Sequence, residues 1–107
     1  MVFYSKRSLR DFESIFRALL KWKPKKHLYP VLTLDEVVSY RNDLKEQCLS
    51  IANIENHKKP HYETHQKYGK FVISYKRNKN TMWYIIYGVK SNGDILIKKI
   101  MNNHKTI

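Results

Sequence analysis

Residues 71–100 read FVISYKRNKNTMWYIIYGVKSNGDILIKKI, and this stretch decides the fold class. Phe71, Ile73 and Tyr75 alternate with Val72, Ser74 and Lys76, the period of two that marks a strand with unlike faces. After a turn at residues 77–80, the run MWYIIYGV (82–89) is apolar on both faces, which predicts a strand inside the sheet. Ser91-Asn92-Gly93-Asp94 is a hairpin signal, because Asn-Gly accepts the positive φ of a type I′ turn. Ile95, Leu96, Ile97 and Ile100 then form a last strand. The result is a three-stranded meander.

Working outward, the segment before the meander, ENHKKPHYETHQKY (55–68), is polar, rich in histidine and broken by Pro60. It has no hydrophobic period and reads as a loop or irregular excursion. Upstream, Thr33-Leu34-Asp35-Glu36 matches a capping box. Leu34, Val37, Val38, Leu44, Cys48, Ile51 and Ala52 follow at helical spacing. Residues 21–33 hold two prolines and a basic cluster and read as a long connection. Before it, Leu9, Phe12, Ile15, Phe16, Leu19 and Leu20 form one helical stripe, with Ser8 as the expected N-cap, Asp11 three residues on, and Pro24 stopping the helix near Lys21. Val2-Phe3-Tyr4 reads as a short strand. The expected fold is α+β in the order β-α-α-β-β-β, with two helices on one face of a small, mostly antiparallel sheet.

The chain has 107 residues, which suits a single domain over 1–107 with its own core. Its 42% hydrophobic content is too high for a disordered basic tail. One cysteine excludes an internal disulfide framework and fits a reducing compartment. Cys48 sits on a helical stripe, where an inert buried thiol is the expectation. No secretory leader or membrane-spanning run is legible, so a cytoplasmic location is expected. The three glycines form no phosphate loop and no nucleophile elbow.

Charge points to the partner. Lys and Arg number 21 against 9 Asp and Glu, a formal net charge of +12, and after Glu63 the only acid is Asp94. A basic half with interleaved aromatics favours an anionic partner such as nucleic acid. Lys58, Lys59, Lys76, Arg77, Lys79 and Lys105 are the candidates for phosphate contacts. His57, His61 and His65 are spaced four apart, which on a continuous helix would suit zinc, but Pro60 interrupts them and the pattern is H-x-E-x-H. Neither a metal nor another cofactor is expected. His61, Glu63 and His65 before the meander, Tyr84 within it and His104 after it suit metal-free ribonuclease chemistry instead. A base takes the ribose 2′-hydroxyl proton, an acid protonates the departing 5′-oxygen, and cations offset the phosphate charge.

These features resemble the RelE/ParE superfamily of bacterial type II toxin–antitoxin toxins. Element order, basic charge and length agree. Trp83-Tyr84-Ile85-Ile86-Tyr87-Gly88-Val89, a short hairpin, an Ile-rich strand and Asn103-His104 are similar to the family's central strand, its neighbour and its terminal histidine. Lys59-Pro60 and Gly69 match the spacing of the YoeB-like branch. The resemblance implies an endonuclease that cuts messenger RNA on the ribosome, with the ribosome, mRNA and an acidic antitoxin as partners, the last in a toxin–antitoxin hetero-oligomer. It implies His61, with Glu63 close by, as general base and His104 as general acid. The family's catalytic arginine falls on Tyr84, which carries no positive charge. Arg77, Lys79 or Lys105 are then the candidates to supply it. Two alternatives stand beside this expectation: a ParE-like inhibitor of DNA gyrase, and a non-enzymatic basic module that binds nucleic acid.

Overall fold

The structure is a computed structural model that describes residues 1–21, 34–78 and 81–103. It is α+β, with a mixed, open, four-stranded sheet. The described elements are β1 (Val2–Tyr4), α1 (Lys6–Lys21), α2 (Leu34–Ser50), a 3-10 turn (Ile51–Asn53), α3 (Glu63–Gln66), β2 (Phe71–Asn78), β3 (Thr81–Val89) and β4 (Ile95–Asn102). The sheet order is β1-β4-β3-β2, with β1 parallel to β4 and the other pairs antiparallel. Thus β3 and β4 are interior, and β2 is an edge strand. Among the described residues no helix is long and apolar enough to cross a membrane.

One sheet face carries the core. Trp83, Ile85 and Tyr87 alternate along β3 and meet Phe71, Ile73 and Tyr75 of β2 in register. On β4 the matching residues are Ile97 and Ile100, three apart rather than two. A bulge explains the spacing: Ile86 pairs with Lys99 while Tyr87 pairs with Ile97, so Lys98 is the extra residue. Phe12 and Ile15 of α1, Leu44 and Cys48 of α2, and Ile51 close the core over this face. A fully buried side chain of this size contributes about 1.5–3 kcal/mol. Trp83 is fully buried because its indole N–H has a partner, donating to the Tyr40 hydroxyl at 2.7 Å.

Local details depart from the sequence reading at four places. The first helix begins at Lys6, not after Ser8, and its cap is Ser5, whose Oγ accepts from the Ser8 N–H at 3.1 Å. Ser5 can cap because its own N–H continues the β1 pairing, donating to the Ile97 carbonyl at 2.9 Å. Asp11 is thereby released from capping. Its carboxylate accepts from the Ile100 N–H and from Lys99 Nζ, both at 2.9 Å, where β1 has ended and the edge of β4 is uncovered.

The β3–β4 hairpin is a three-residue loop rather than a two-residue type I′ turn. The Gly93 N–H donates to the Lys90 carbonyl at 2.9 Å, the Lys90 N–H donates to the Asp94 carbonyl at 2.8 Å, and Gly93 takes φ +89°. Along the α2 stripe, Val37, Leu44, Cys48 and Ile51 are buried, whereas Leu34 and Val38 are exposed. Finally, the histidine-rich segment contains a one-turn helix, α3, that a search for apolar periodicity had no means to find. Thr33 of the expected capping box, and residues 22–33 of the long connection, lie outside the described residues.

Candidate functional site

The polar segment is not a free excursion; it wraps the edge of β2. His57 packs between the rings of Phe71 and Tyr87, with centroids 5.2 and 5.4 Å away, and its Nδ1 shares a 2.6 Å hydrogen bond with the Tyr87 hydroxyl. The Lys58 carbonyl accepts from the Val72 N–H at 2.9 Å, so one residue of the segment pairs with the open edge of the sheet. Pro60 then turns the chain onto the face opposite the helices, called the outer face below. Its carbonyl accepts from the Gln66 side-chain amide at 3.2 Å. The Tyr62 carbonyl accepts from the His65 N–H at 2.9 Å and opens α3.

By register, the outer face holds Val72, Ser74 and Lys76 of β2 opposite Ile86, Tyr84 and Met82 of β3. Tyr84 is covered by the rings of Tyr62 and His65, at centroid distances of 6.0 and 4.7 Å. The segment then runs over Ile86 at Gly69. A Cβ at Gly69 would stand 2.9 Å from Ile86 Cγ2 and 3.1 Å from the Tyr87 carbonyl oxygen, so only glycine allows this approach. Between the segment and β2 opens a groove of about 470 Å³, lined by Lys58, Lys59, His61, His65, Ser74 and Tyr84 among others.

Burial sets the protonation of two of these walls. His65 is 7% exposed, and the loss of water holds its imidazole below the usual histidine range, so it is neutral at pH 7. Tyr84 is pushed above the usual phenol range, first by burial and then by the neighbouring Tyr62 hydroxyl. Its hydroxyl therefore stays protonated and can donate a hydrogen bond or a proton. His61 is exposed, with its ring 5.4 Å from that of Tyr62. The groove combines an accessible imidazole, a protonated phenol and two ammonium groups. That set can move a proton and hold an anion.

Of the expected site residues, His61, Tyr84, Lys58 and Lys59 are brought together by this groove. Glu63 is the first residue of α3, exposed, and not among the groove's lining residues. Lys76 is exposed on the outer face, two residues along β2 from Ser74. Arg77 is engaged elsewhere. Its guanidinium donates to the Asp43 carboxylate of α2, lies 3.3 Å from the Tyr75 hydroxyl and stacks 4.4 Å from the centre of the Tyr40 ring. It ties β2 to α2, and its charge is already answered by Asp43. Lys79, His104 and Lys105 lie outside the described residues. The last described residue, Asn103, donates its N–H to the Met82 carbonyl and accepts from the Met82 N–H, both at 3.1 Å, so the end of β4 is fastened to the start of β3.

Sequence reasoning missed Tyr62 and the pairing of His57 with Tyr87. For Tyr62 there was a signal: Tyr62 and His65 are three apart, the spacing that puts two rings on one side of a helical turn. For His57 there was none, because Tyr87 is thirty residues away. Among the described residues, no group of three or more His, Cys, Asp or Glu could hold a metal ion. Comparisons of the chain with models of protein families, with curated proteins and with solved structures found no match.

Proposed function

We propose that this protein is the toxin of a bacterial type II toxin–antitoxin module of the RelE/ParE kind, acting in the cytoplasm as a ribosome-dependent, metal-independent mRNA endonuclease. The observation that carries the reading is the groove that His61, Tyr84, Lys58 and Lys59 share where the segment wraps the edge of β2. An α+β fold with a mixed four-stranded sheet is compatible with this reading, and α3 is an element that the resemblance does not imply. The net charge of +12 suits both ribosomal RNA and an acidic antitoxin segment.

In the proposed reaction His61 removes the proton from a ribose 2′-hydroxyl. The 2′-oxygen attacks the adjacent phosphorus and forms a 2′,3′-cyclic phosphate. The 5′-oxygen of the next nucleotide leaves and takes a proton from His104, the acid that the resemblance implies. Lys58 and Lys59 offset the charge that builds on the non-bridging oxygens, and the protonated Tyr84 hydroxyl donates to one of them. Two lysines and a phenol replace the guanidinium of the family pattern, so slower cutting than an arginine-bearing relative is expected.

The experiment is cleavage of a translated messenger by purified protein. The wild type should cut, and His61→Ala and His104→Ala should each lose about 10²–10⁴-fold in rate, the usual contribution of a general acid or base. Cutting that persists in the double variant would overturn the assignment of roles. One observation favours a second reading. Arg77, the arginine nearest the meander turn, is held by Asp43, which suits a module that binds nucleic acid without cutting it. That reading predicts affinity that falls steeply with salt and no cleavage at all.

A further inference from the structure

Beyond the groove, the outer face carries a second gathering of charge. Tyr68, two residues after α3, is half-buried and ringed by three cations from separate parts of the chain. Lys67 Nζ lies 5.1 Å from the ring centre, the Arg7 guanidinium of α1 at 5.3 Å, and Lys99 Nζ of β4 at 5.5 Å. Each cation is drawn to the negative face of the ring, which helps hold like charges close together. The facing carboxylate is Asp11, and both of its oxygens are occupied, one by Lys99 and one by the Ile100 N–H. Among the described residues neither Arg7 nor Lys67 forms an ion pair.

The start of α1 adds a separate sign of an anion. Its first turn opens with Lys6 and Arg7 and contains no acidic residue. Cations at a helix N-terminus face the positive end of the macrodipole, an arrangement that costs stability unless an anion is bound there. Placement relates this cluster to the groove. Tyr62 and His65 sit over Tyr84, and Gly69 sits over Ile86, so residues 62–69 cross the outer face with the groove on the β2 side and the cluster on the β4 side. On the groove's wall Tyr62 is 52% exposed, a ring open to stacking with a base. Cations alternating with an open ring suit a nucleic acid strand better than an acidic peptide, which has no planar bases to stack.

We propose that Arg7 and Lys67, gathered with the Asp11-bound Lys99 round Tyr68, form a second phosphate site that carries a single-stranded RNA from the groove across the outer face towards α1. The inference rests on the reading of the groove as an RNA site. A strand seated in both places meets Lys58 and Lys59 at one phosphate region and Arg7 and Lys67 at another.

The test is fluorescence anisotropy of a labelled oligouridine of about twelve nucleotides, within the span one such domain covers, titrated over a series of salt concentrations. Arg7→Gln/Lys67→Gln leaves Lys99 and its tie to Asp11 intact, and both altered side chains are exposed, so the melting temperature should not fall. The double variant should bind more weakly and lose about 1.4 from the slope of log affinity against log salt, at about 0.7 per phosphate contact on a single strand. Arg7→Lys, which keeps the charge, should keep the wild-type slope. A wild-type slope in the double variant, with a reduced one in Lys58→Gln/Lys59→Gln, would overturn the second site and leave the groove reading standing. Failure of the wild type to bind the oligouridine would overturn both. Loss of polyglutamate binding with undiminished RNA binding in Arg7→Gln/Lys67→Gln would also overturn the inference, by reassigning the cluster to an acidic peptide.

Discussion

Replacing Asp11 by alanine should cost more stability than any other change at an α1 carboxylate, and the structure shows why. The Asp11 side chain is 13% exposed and holds two bonds of 2.9 Å to β4. One of them satisfies the Ile100 N–H at the point where β1 has run out as a pairing partner. Without the carboxylate that N–H is left unpaired beside the helix, at about 1–3 kcal/mol. Lys99 is 22% exposed and can turn to water, so the ion pair adds only about 0.2–1 kcal/mol. Alanine returns about 0.5 kcal/mol of helix propensity. The net loss is about 2 kcal/mol, a fall in melting temperature of roughly 8–16 °C for a domain of this size. Asp11→Asn keeps an oxygen for the Ile100 N–H and should lose about half as much. The assay is urea unfolding followed by circular dichroism, at low and high salt. A loss below about 0.5 kcal/mol for Asp11→Ala would refute the reasoning. So would an asparagine variant as damaged as the alanine one, because charge rather than the accepted N–H would then be the source.

Three further outcomes follow from the same geometry. Burial pushes the Cys48 thiol up to about 12, so a disulfide reagent at pH 8 should label it only as fast as the protein unfolds, and labelling in native buffer at the rate of a free thiol would contradict its burial. Burial holds His65 below its unfolded value, so the unfolded chain takes up the proton first; stability should be level above the ordinary histidine value of about 6.5 and fall as pH drops below it, and urea midpoints for wild type and His65→Phe should show a flatter profile in the variant. Gly69→Ala forces a shift of Ile86 and of the Tyr87 backbone and should cost about 1–3 kcal/mol, whereas Gly88→Ala meets only the flexible Lys98 stem at 3.2 Å and should cost less, an order that thermal melts can check.

Much of the meander was legible in residues 71–100, because alternation and the doubly apolar run in β3 are local signals of strand and depth. What was not legible depends on partners far along the chain. Ile97 and Ile100 share a face only because of the Lys98 bulge, and the bulge exists only as a relation between β3 and β4. Ser8 followed by Asp11 had the appearance of a cap, but Ser5 was free to cap once β1 lay parallel to β4, a pairing with no local signature. The Asn92-Gly93 pair did mark the hairpin. In the three-residue loop the Asn92 side chain accepts from the Asp94 N–H at 3.0 Å and Gly93 takes the left-handed position.

At the candidate site, residue type was informative and placement was not. His61, Lys58, Lys59 and Tyr84 share a groove because the Lys58 carbonyl pairs with Val72 and the chain crosses the edge of β2. Nothing within residues 55–68 specifies that crossing. Arg77 shows the converse: a cation in a basic stretch read as available for phosphate, yet the fold sets Asp43 and Tyr40 against it. The aromatic rings are what turn a polar segment into a wall. Tyr62, His65 and Tyr84 form a cluster without any apolar period, and so helical pattern-matching passed over α3.

The most direct test of the central claim is RNA 5′-end mapping on a messenger incubated with purified protein, with and without translating ribosomes. The account predicts new ends at fixed positions within codons in the ribosome sample alone, absent when His61 is replaced by alanine. No new ends in either sample would contradict it, and binding without cleavage, or inhibition of gyrase, would take its place.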